Sequence, residues 1–127
     1  SLDNAEDAEG DAWFRACSEA GVRVFPYGAD YDPSACNGDD AAQDGLWPVG
    51  SMPSCEGGVT GLFDMSGNVW EWTNACEVDG GDANTECRRR SGSRFTDQDN
   101  LRCGVNSTRD RSERDNALGF RCCAPSP

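Results

Sequence analysis

A chain of 127 residues is long enough for one domain with a small core and too short for two ordinary ones. With 36% hydrophobic residues, 15 Gly, 6 Pro and 8 Cys, that core must be thin and much of the chain irregular, which excludes long helical bundles. The net charge of −12, from 23 acidic and 11 basic residues, repels phosphate backbones and excludes a general nucleic-acid binder.

Residues 1–11 are acidic and small with one apolar side chain, Leu2, the composition of a flexible terminal segment; the folded domain is expected over residues 12–127. Trp13, Phe14, Ala16 and Cys17 crowd one side of a short helix that Gly21 stops. Val22 to Phe25 reads as a brief extended run, closed by Pro26 and the Tyr27-Gly28 turn. From Tyr31 to Gly61, Asp, Asn, Gly, Pro and Ser recur without helical or strand period, so a long ordered loop is expected there. Asp30, Asp32 and Ser34 have the spacing of an EF-hand start, but Ala35 and Ala41 occupy positions where that loop needs Gly and Glu.

Ordering such a loop costs about 1–2 kcal/mol per residue, so covalent staples are needed. Spacing nominates Cys36 with Cys55, and Cys76 with Cys87, though spacing alone leaves the connectivity of eight cysteines open. The chain has no His, and its only close Cys pair, Cys122 and Cys123, is vicinal and cannot chelate as C-x-x-C does, so a structural zinc site is not expected. A disulfide framework is, and it places the chain outside a reducing cytosol, secreted or at the cell surface. No apolar run approaches the roughly 20 residues that span a bilayer. No signal-peptide pattern follows Ser1, so a leader is expected upstream of it.

Gly61 to Trp72 is the densest apolar stretch. Leu62, Phe63, Met65, Val69, Trp70 and Trp72 are expected at the centre of the core, with Trp47 beside them and a positive-φ turn at Gly67-Asn68. Asp64 and Glu71 lie inside this run, where a carboxylate must be paired or bound to a metal. Further on, Leu101 with Cys103 and Phe120 with Cys122 alternate as in half-buried strands, and short antiparallel strands are expected. Charge is split: residues 1–87 hold 18 acids and 2 Arg, residues 88–127 hold 9 Arg and 5 acids. Internal pairing of an acidic front with a basic tail is one reading, contact between copies the other.

The run Gly-Leu-Phe-Asp-Met-Ser-Gly-Asn-Val-Trp-Glu-Trp at 61–72 resembles the signature of the formylglycine-generating enzyme family, also called the sulfatase-modifying factor domain. Pro48-Val49-Gly50-Ser51, Gly92-Ser93 and Gly119-Phe120-Arg121-Cys122 stand around it in the family's order, and Phe25-Pro26-Tyr27-Gly28 and Ala35-Cys36-Asn37-Gly38 also fit. The resemblance spans roughly residues 12–123. It implies an α+β fold, a variant of the C-type-lectin-like fold made mostly of loops, with short antiparallel strands, one or two short helices and disulfide staples. The family's domain is longer and begins with a segment that has no counterpart here, so the chain is expected to be its C-terminal part, with the N-terminal half of the same precursor as partner.

The resemblance also implies pairings and ligands. It joins Cys17 to Cys103, and it sends Cys122, with Cys123, toward the missing segment. It implies a calcium site at Asp64, Gly67, Val69 and Glu71, and a second, weaker one at Asn37, Gly38, Asp44 and Leu46 on a shortened loop, hard oxygen donors of the kind calcium takes. Catalysis in the family needs a cysteine pair that binds copper(I), and the corresponding stretch, Arg94 to Asn100, has none, so no copper is expected. The three-histidine iron site of the related sulfoxide synthases is likewise absent.

The expected function is therefore a non-catalytic secreted module for binding or assembly, on a calcium- and disulfide-stabilised lectin-like scaffold. Its binding surface would be Arg94, Asp97, Gln98, Asp99, Asn100, Asn106, Arg109, Arg111 and Asn116, suited to a protein or glycan ligand, and the charge split suits a homo-oligomer or filament. The competing reading is a formylglycine-generating-type oxidoreductase acting on a substrate cysteine. Asn106-Ser107-Thr108 is a glycosylation sequon by pattern. The Cys-rich Phe-Arg-Cys-Cys ending is similar to secreted or lipoprotein-borne domains of bacteria.

Overall fold

The computed structural model describes residues 10–41 and 44–124. The flexibility expected of the first nine residues lies outside this range, but Asp11 does not. It is buried, and its Oδ1 accepts the Phe14 N–H at 2.8 Å as the N-cap of helix α1, Ala12–Ser18. The boundary of the folded part therefore moves back to include Asp11. The helix ends earlier than Gly21 alone would require, because Glu19, Ala20 and Gly21 all take positive φ, at 53°, 57° and 91°.

Val22 to Phe25 is not a strand. Phe25 and Gly28 exchange backbone hydrogen bonds of 2.9 and 3.1 Å across the Pro26-Tyr27 turn as an isolated bridge, and the remaining backbone bonds of the run go to Ser18, Glu19 and Cys103 without forming a ladder. No helix or strand follows among the described residues until Trp70, as the absence of period implied. This long segment is pinned by the Cys36–Cys55 disulfide and by the bridges Asn37–Gly67 and Glu56–Phe63.

Four short strands form one sheet: β1 Trp70–Cys76, β2 Glu86–Arg90, β3 Ser107–Asp110 and β4 Leu118–Phe120, in the order β3-β2-β1-β4. β1 with β2 and β2 with β3 are antiparallel. β4 departs from the all-antiparallel expectation: residues 111–117 carry the chain across the sheet, and β4 runs parallel to β1, with Trp70 beside Leu118 and Trp72 beside Phe120. Leu101 and Cys103 are buried, yet they follow the 3-10 turn Gln98–Asn100 and belong to no strand. Phe120 faces solvent, 75% exposed. The strand expected at Phe120 is therefore present as β4, with Phe120 on its open face, whereas the Leu101–Cys103 alternation reflects turn packing.

The core is also arranged differently. Its two clusters are Phe14, Cys17, Met65 and Cys103, against which Trp13, Ala16 and Leu62 pack, and Cys36, Met52 and Cys55, joined by Tyr27 and Trp47. Phe63, Val69, Trp70 and Trp72 are only half-buried. β1 puts successive side chains on opposite faces, so burying Glu71 turns both flanking tryptophans toward the open side. There the Arg89 guanidinium lies 4.3 Å from the Trp70 ring centroid. The third disulfide, Cys76–Cys87, ties β1 to β2.

Candidate functional site

The turn entering β1 has unusual backbone requirements. Asp64, Gly67 and Asn68 take φ of 60°, 73° and 66°. At Gly67 a Cβ would lie 2.4 Å from the Asn37 carbonyl oxygen, so only glycine lets the two segments meet. Asn68 N–H donates to that carbonyl at 2.8 Å, and Gly67 N–H donates to the Ser91 carbonyl at 2.7 Å. The turn is thus fastened to the long loop on one side and to the end of β2 on the other.

Glu71, 5% exposed, projects from β1 into this fastened region. Its Oε2 accepts Trp13 Nε1–H at 2.9 Å and Arg121 Nε–H at 2.7 Å, and its Oε1 accepts Arg121 Nη2–H at 2.5 Å. Arg121 Nη2 also donates to the carbonyls of Phe63 and Asp64, at 3.0 and 3.2 Å. Burial alone would lower the Arg121 pKa. The hydrogen bond and charge of Glu71, then the charges of Asp64 and Cys123, outweigh it and hold the guanidinium above its ordinary value.

Asp64, 9% exposed, accepts the Gly50 N–H through Oδ2 at 2.8 Å. Arg121 is ion-paired to Glu71 and reaches Asp64 only through its backbone carbonyl, so the buried Asp64 carboxylate has no ion pair among the described residues. A second anomaly lies beside it. Asn37 is 2% exposed; its Nδ2 donates to Gly45 O at 3.0 Å and to Asn68 Oδ1 at 3.1 Å, while its Oδ1 has no partner. Asp64, Gly67 and Val69 thus lie on the turn that leads into β1, which carries Glu71, and Asn37 is packed on Gly67; Gly38 lies against Leu101 and Thr96, and Asp44 and Leu46 sit exposed on the loop.

The Asp64 carboxylate and the orphaned Asn37 Oδ1 are oxygen donors of the kind a hard cation takes, one in each of the two expected ligand sets. No three acidic or Cys side chains converge among the described residues, so such an ion would depend on backbone carbonyls for much of its shell.

The expected binding surface divides in two. Arg94 stacks over Phe95 at 4.2 Å, donates to Asn116 O at 3.3 Å, and is anchored through its own N–H to Asn68 O at 3.1 Å. Asp97 caps the 3-10 turn that presents Gln98, Asp99 and Asn100 to solvent. Asn106, Arg109 and Arg111 lie at the β3 end of the sheet, opposite β4. There Asn106 Oδ1 accepts Arg88 Nε–H at 3.0 Å, Arg109 pairs with Glu113 at 3.6 Å and Arg111 donates to Gly81 O at 2.7 Å. Of the eight cysteines, Cys122 and Cys123 are free and exposed in this chain.

One buried ion-pair cluster escaped the sequence reading. Asp11 Oδ2 pairs with Arg88 Nη1 at 3.0 Å and with Arg90 Nη2, and both arginines are 1% exposed. An acid directly before an apolar helical run was the available signal for this position, as an N-cap.

A family model for the sulfatase-modifying factor enzyme 1-like domain matches residues 9–125. Among solved structures the chain is similar to the crystal structure of CarF, with TM-score 0.58 and 20% identity over 80% of this chain, which shows a shared fold. The match covers 37% of the CarF chain. No curated protein matches the chain.

Proposed function

The chain belongs to the sulfatase-modifying factor enzyme 1-like domain family, and on that premise we propose that it is a non-catalytic, secreted binding or assembly module. The observation that carries this reading is the loop from Arg94 to Asn100. It contains no cysteine, and it is fixed by bonds from Arg94 N–H to Asn68 O and from Ser93 N–H to Thr96 Oγ1, at 3.1 and 2.9 Å. Such a loop offers polar groups on a rigid base and no thiol nucleophile. Incubating the disulfide-intact chain with copper(I), oxygen and a cysteine-containing peptide is expected to leave the peptide thiol unconverted. Appearance of a peptide aldehyde would establish the oxidoreductase reading instead.

Cys122 and Cys123 are the attachment point in this proposal, joining the chain to the N-terminal part of a family-length precursor or to a second copy. Intact mass of native material before and after reduction is expected to reveal a released polypeptide.

The residues that would hold calcium are Asp64, Gly67, Val69 and Glu71, with Asn37, Gly38, Asp44 and Leu46 as a second set. An ion at the first set would neutralise the charge that Arg121 leaves on Asp64. At an excess of 100 times Kd, one such ion stabilises a fold by about 2.7 kcal/mol. Chelation is therefore expected to lower Tm by several degrees in the wild type and to have no effect in Asp64→Asn. Identical melting of the wild type with and without chelator would remove calcium from the proposal.

A further inference from the structure

The corner where the chain leaves α1 is held in a conformation its residues disfavour. Left-handed backbone brings Cβ too close to the following carbonyl in an L residue, and both Glu19 and Ala20 adopt it. Such strain persists where the surroundings impose it. Ala20 N–H donates to Arg15 O at 3.0 Å, Gly21 N–H to Ser18 Oγ at 2.8 Å and Arg23 N–H to Ser18 O at 2.8 Å. Gly58 packs so tightly on the corner that a Cβ there would lie 2.2 Å from Glu19 N. The facing wall is tied by the Cys17–Cys103 disulfide and by Cys103 N–H on Val24 O at 2.9 Å.

Between these walls lies a cavity of about 270 Å³, lined by Phe14, Val22, Val24 and Val105 and by Arg23 and Arg102, with Gly21 and Gly104. Its lining is mixed, with polar backbone and arginine groups beside an apolar side: Phe14 is buried, and Val22 and Val24 remain 77% and 43% exposed, an unusual use of valine in a chain so poor in apolar residues. Its basic groups differ. Arg23 is satisfied by Glu19 at 2.7 Å and by Pro26 O at 2.9 Å. Arg102 donates through Nε to Asp99 O at 2.7 Å and has no ion pair among the described residues, although acids outnumber bases twofold in the sequence.

We infer that this cavity binds a short apolar group ending in a carboxylate. The apolar part lies against Phe14, Val22, Val24 and Val105, and the carboxylate meets the planar donor fork of Arg102, which matches it with two parallel hydrogen bonds. The valine walls disfavour fully hydrated inorganic anions, and the guanidinium disfavours a purely apolar guest. A free short-chain acid and the C-terminal residue of a polypeptide present the same chemistry.

The test is titration of the ¹⁵N-labelled, disulfide-intact chain with hexanoate, followed by amide shifts. Saturable shifts are expected around residues 20–24 and 102–105. Replacing hexanoate by hexanamide, or Arg102 by Gln, is expected to weaken binding about tenfold or more, the scale of a lost charge-assisted pair. Val22→Asp, on the exposed wall, is expected to weaken it as well, while Arg114→Gln, which is exposed and does not line the cavity, changes nothing. N-acetyl-leucine binding more tightly than hexanoate would assign the ligand to chain ends, and the reverse order to free acids. Absence of shifts with both acids overturns the inference, as does equal binding of hexanoate and hexanamide or unchanged affinity in Arg102→Gln.

Discussion

Asp11→Asn is expected to destabilise the fold by about 3–5 kcal/mol, because it leaves two guanidiniums buried without their carboxylate. Arg88 and Arg90 both reach Asp11 Oδ2, and each is almost wholly removed from water. A loss of that size lowers Tm by more than about 10 °C in a domain of this length. Asp11 also caps α1, and Asp11→Ser separates the two roles: a serine still caps, and a lost cap accounts for only about 1 kcal/mol. Asp11→Ser is therefore expected to fall nearly as far as Asp11→Asn in thermal melts. A Ser variant melting close to wild type would reduce Asp11 to a cap.

Burial works to raise the pKa of Asp11, but the Phe14 N–H together with the hydrogen bond and charge of Arg90 and the charge of Arg88 prevail, holding it below the usual 3.8. The sign follows by linkage. A carboxylate depressed in the folded state stabilises it fully above the unfolded value and loses that contribution as pH falls through the folded one. Wild-type stability should thus fall below about pH 4, and Asp11→Asn should flatten that limb in denaturant titrations run across the acid range.

The second large effect is expected from Cys17→Ala with Cys103→Ala. That bridge closes a separation of 86 residues, the longest of the three. In the chain-entropy model such a loop contributes about 4–5 kcal/mol, against about 3 kcal/mol for the separation of 11 between Cys76 and Cys87. Cys17 and Cys103 also lie at the centre of a core cluster with Phe14 and Met65, so losing the sulfurs adds a cavity to the lost constraint. Equal losses from the two double variants in urea titration would contradict the loop-length argument.

What could be read from residue order depended on whether local chemistry or distant contact decided the outcome. The Gly67-Asn68 turn, the short helix at Trp13 and the pairs Cys36–Cys55 and Cys76–Cys87 are local matters of φ preference, apolar period and spacing, and the structure shows each of them. Cys17–Cys103 followed from the family pattern. The parallel placement of β4 depends on how residues 111–117 cross the sheet, which period does not encode. Trp70 and Trp72 looked like core because they are large. The need of Glu71 for Arg121 and Trp13 decided which face of β1 was buried, and that need was visible only as an unexplained acid among aromatics. The charge split did foretell front-to-tail pairing, and Asp11 with Arg88 and Arg90, and Glu71 with Arg121, are its form.

The reach of these pairings constrains how the molecule can be made. Asp11 meets its arginines 77 and 79 positions later, Trp13 meets Glu71 after 58, and Glu71 waits a further 50 for Arg121. During synthesis the front of the chain therefore emerges with its charged groups and helix unmatched. The local pairs Cys36–Cys55 and Cys76–Cys87 can oxidise as soon as each loop is exposed, but Cys17 must stay reduced, or exchange out of wrong partners, until Cys103 arrives. Maturation of this domain is thus a late event, completed when its last strand docks and brings Arg121 to Glu71, and it is the step at which an oxidoreductase or holdase chaperone would have the most to do.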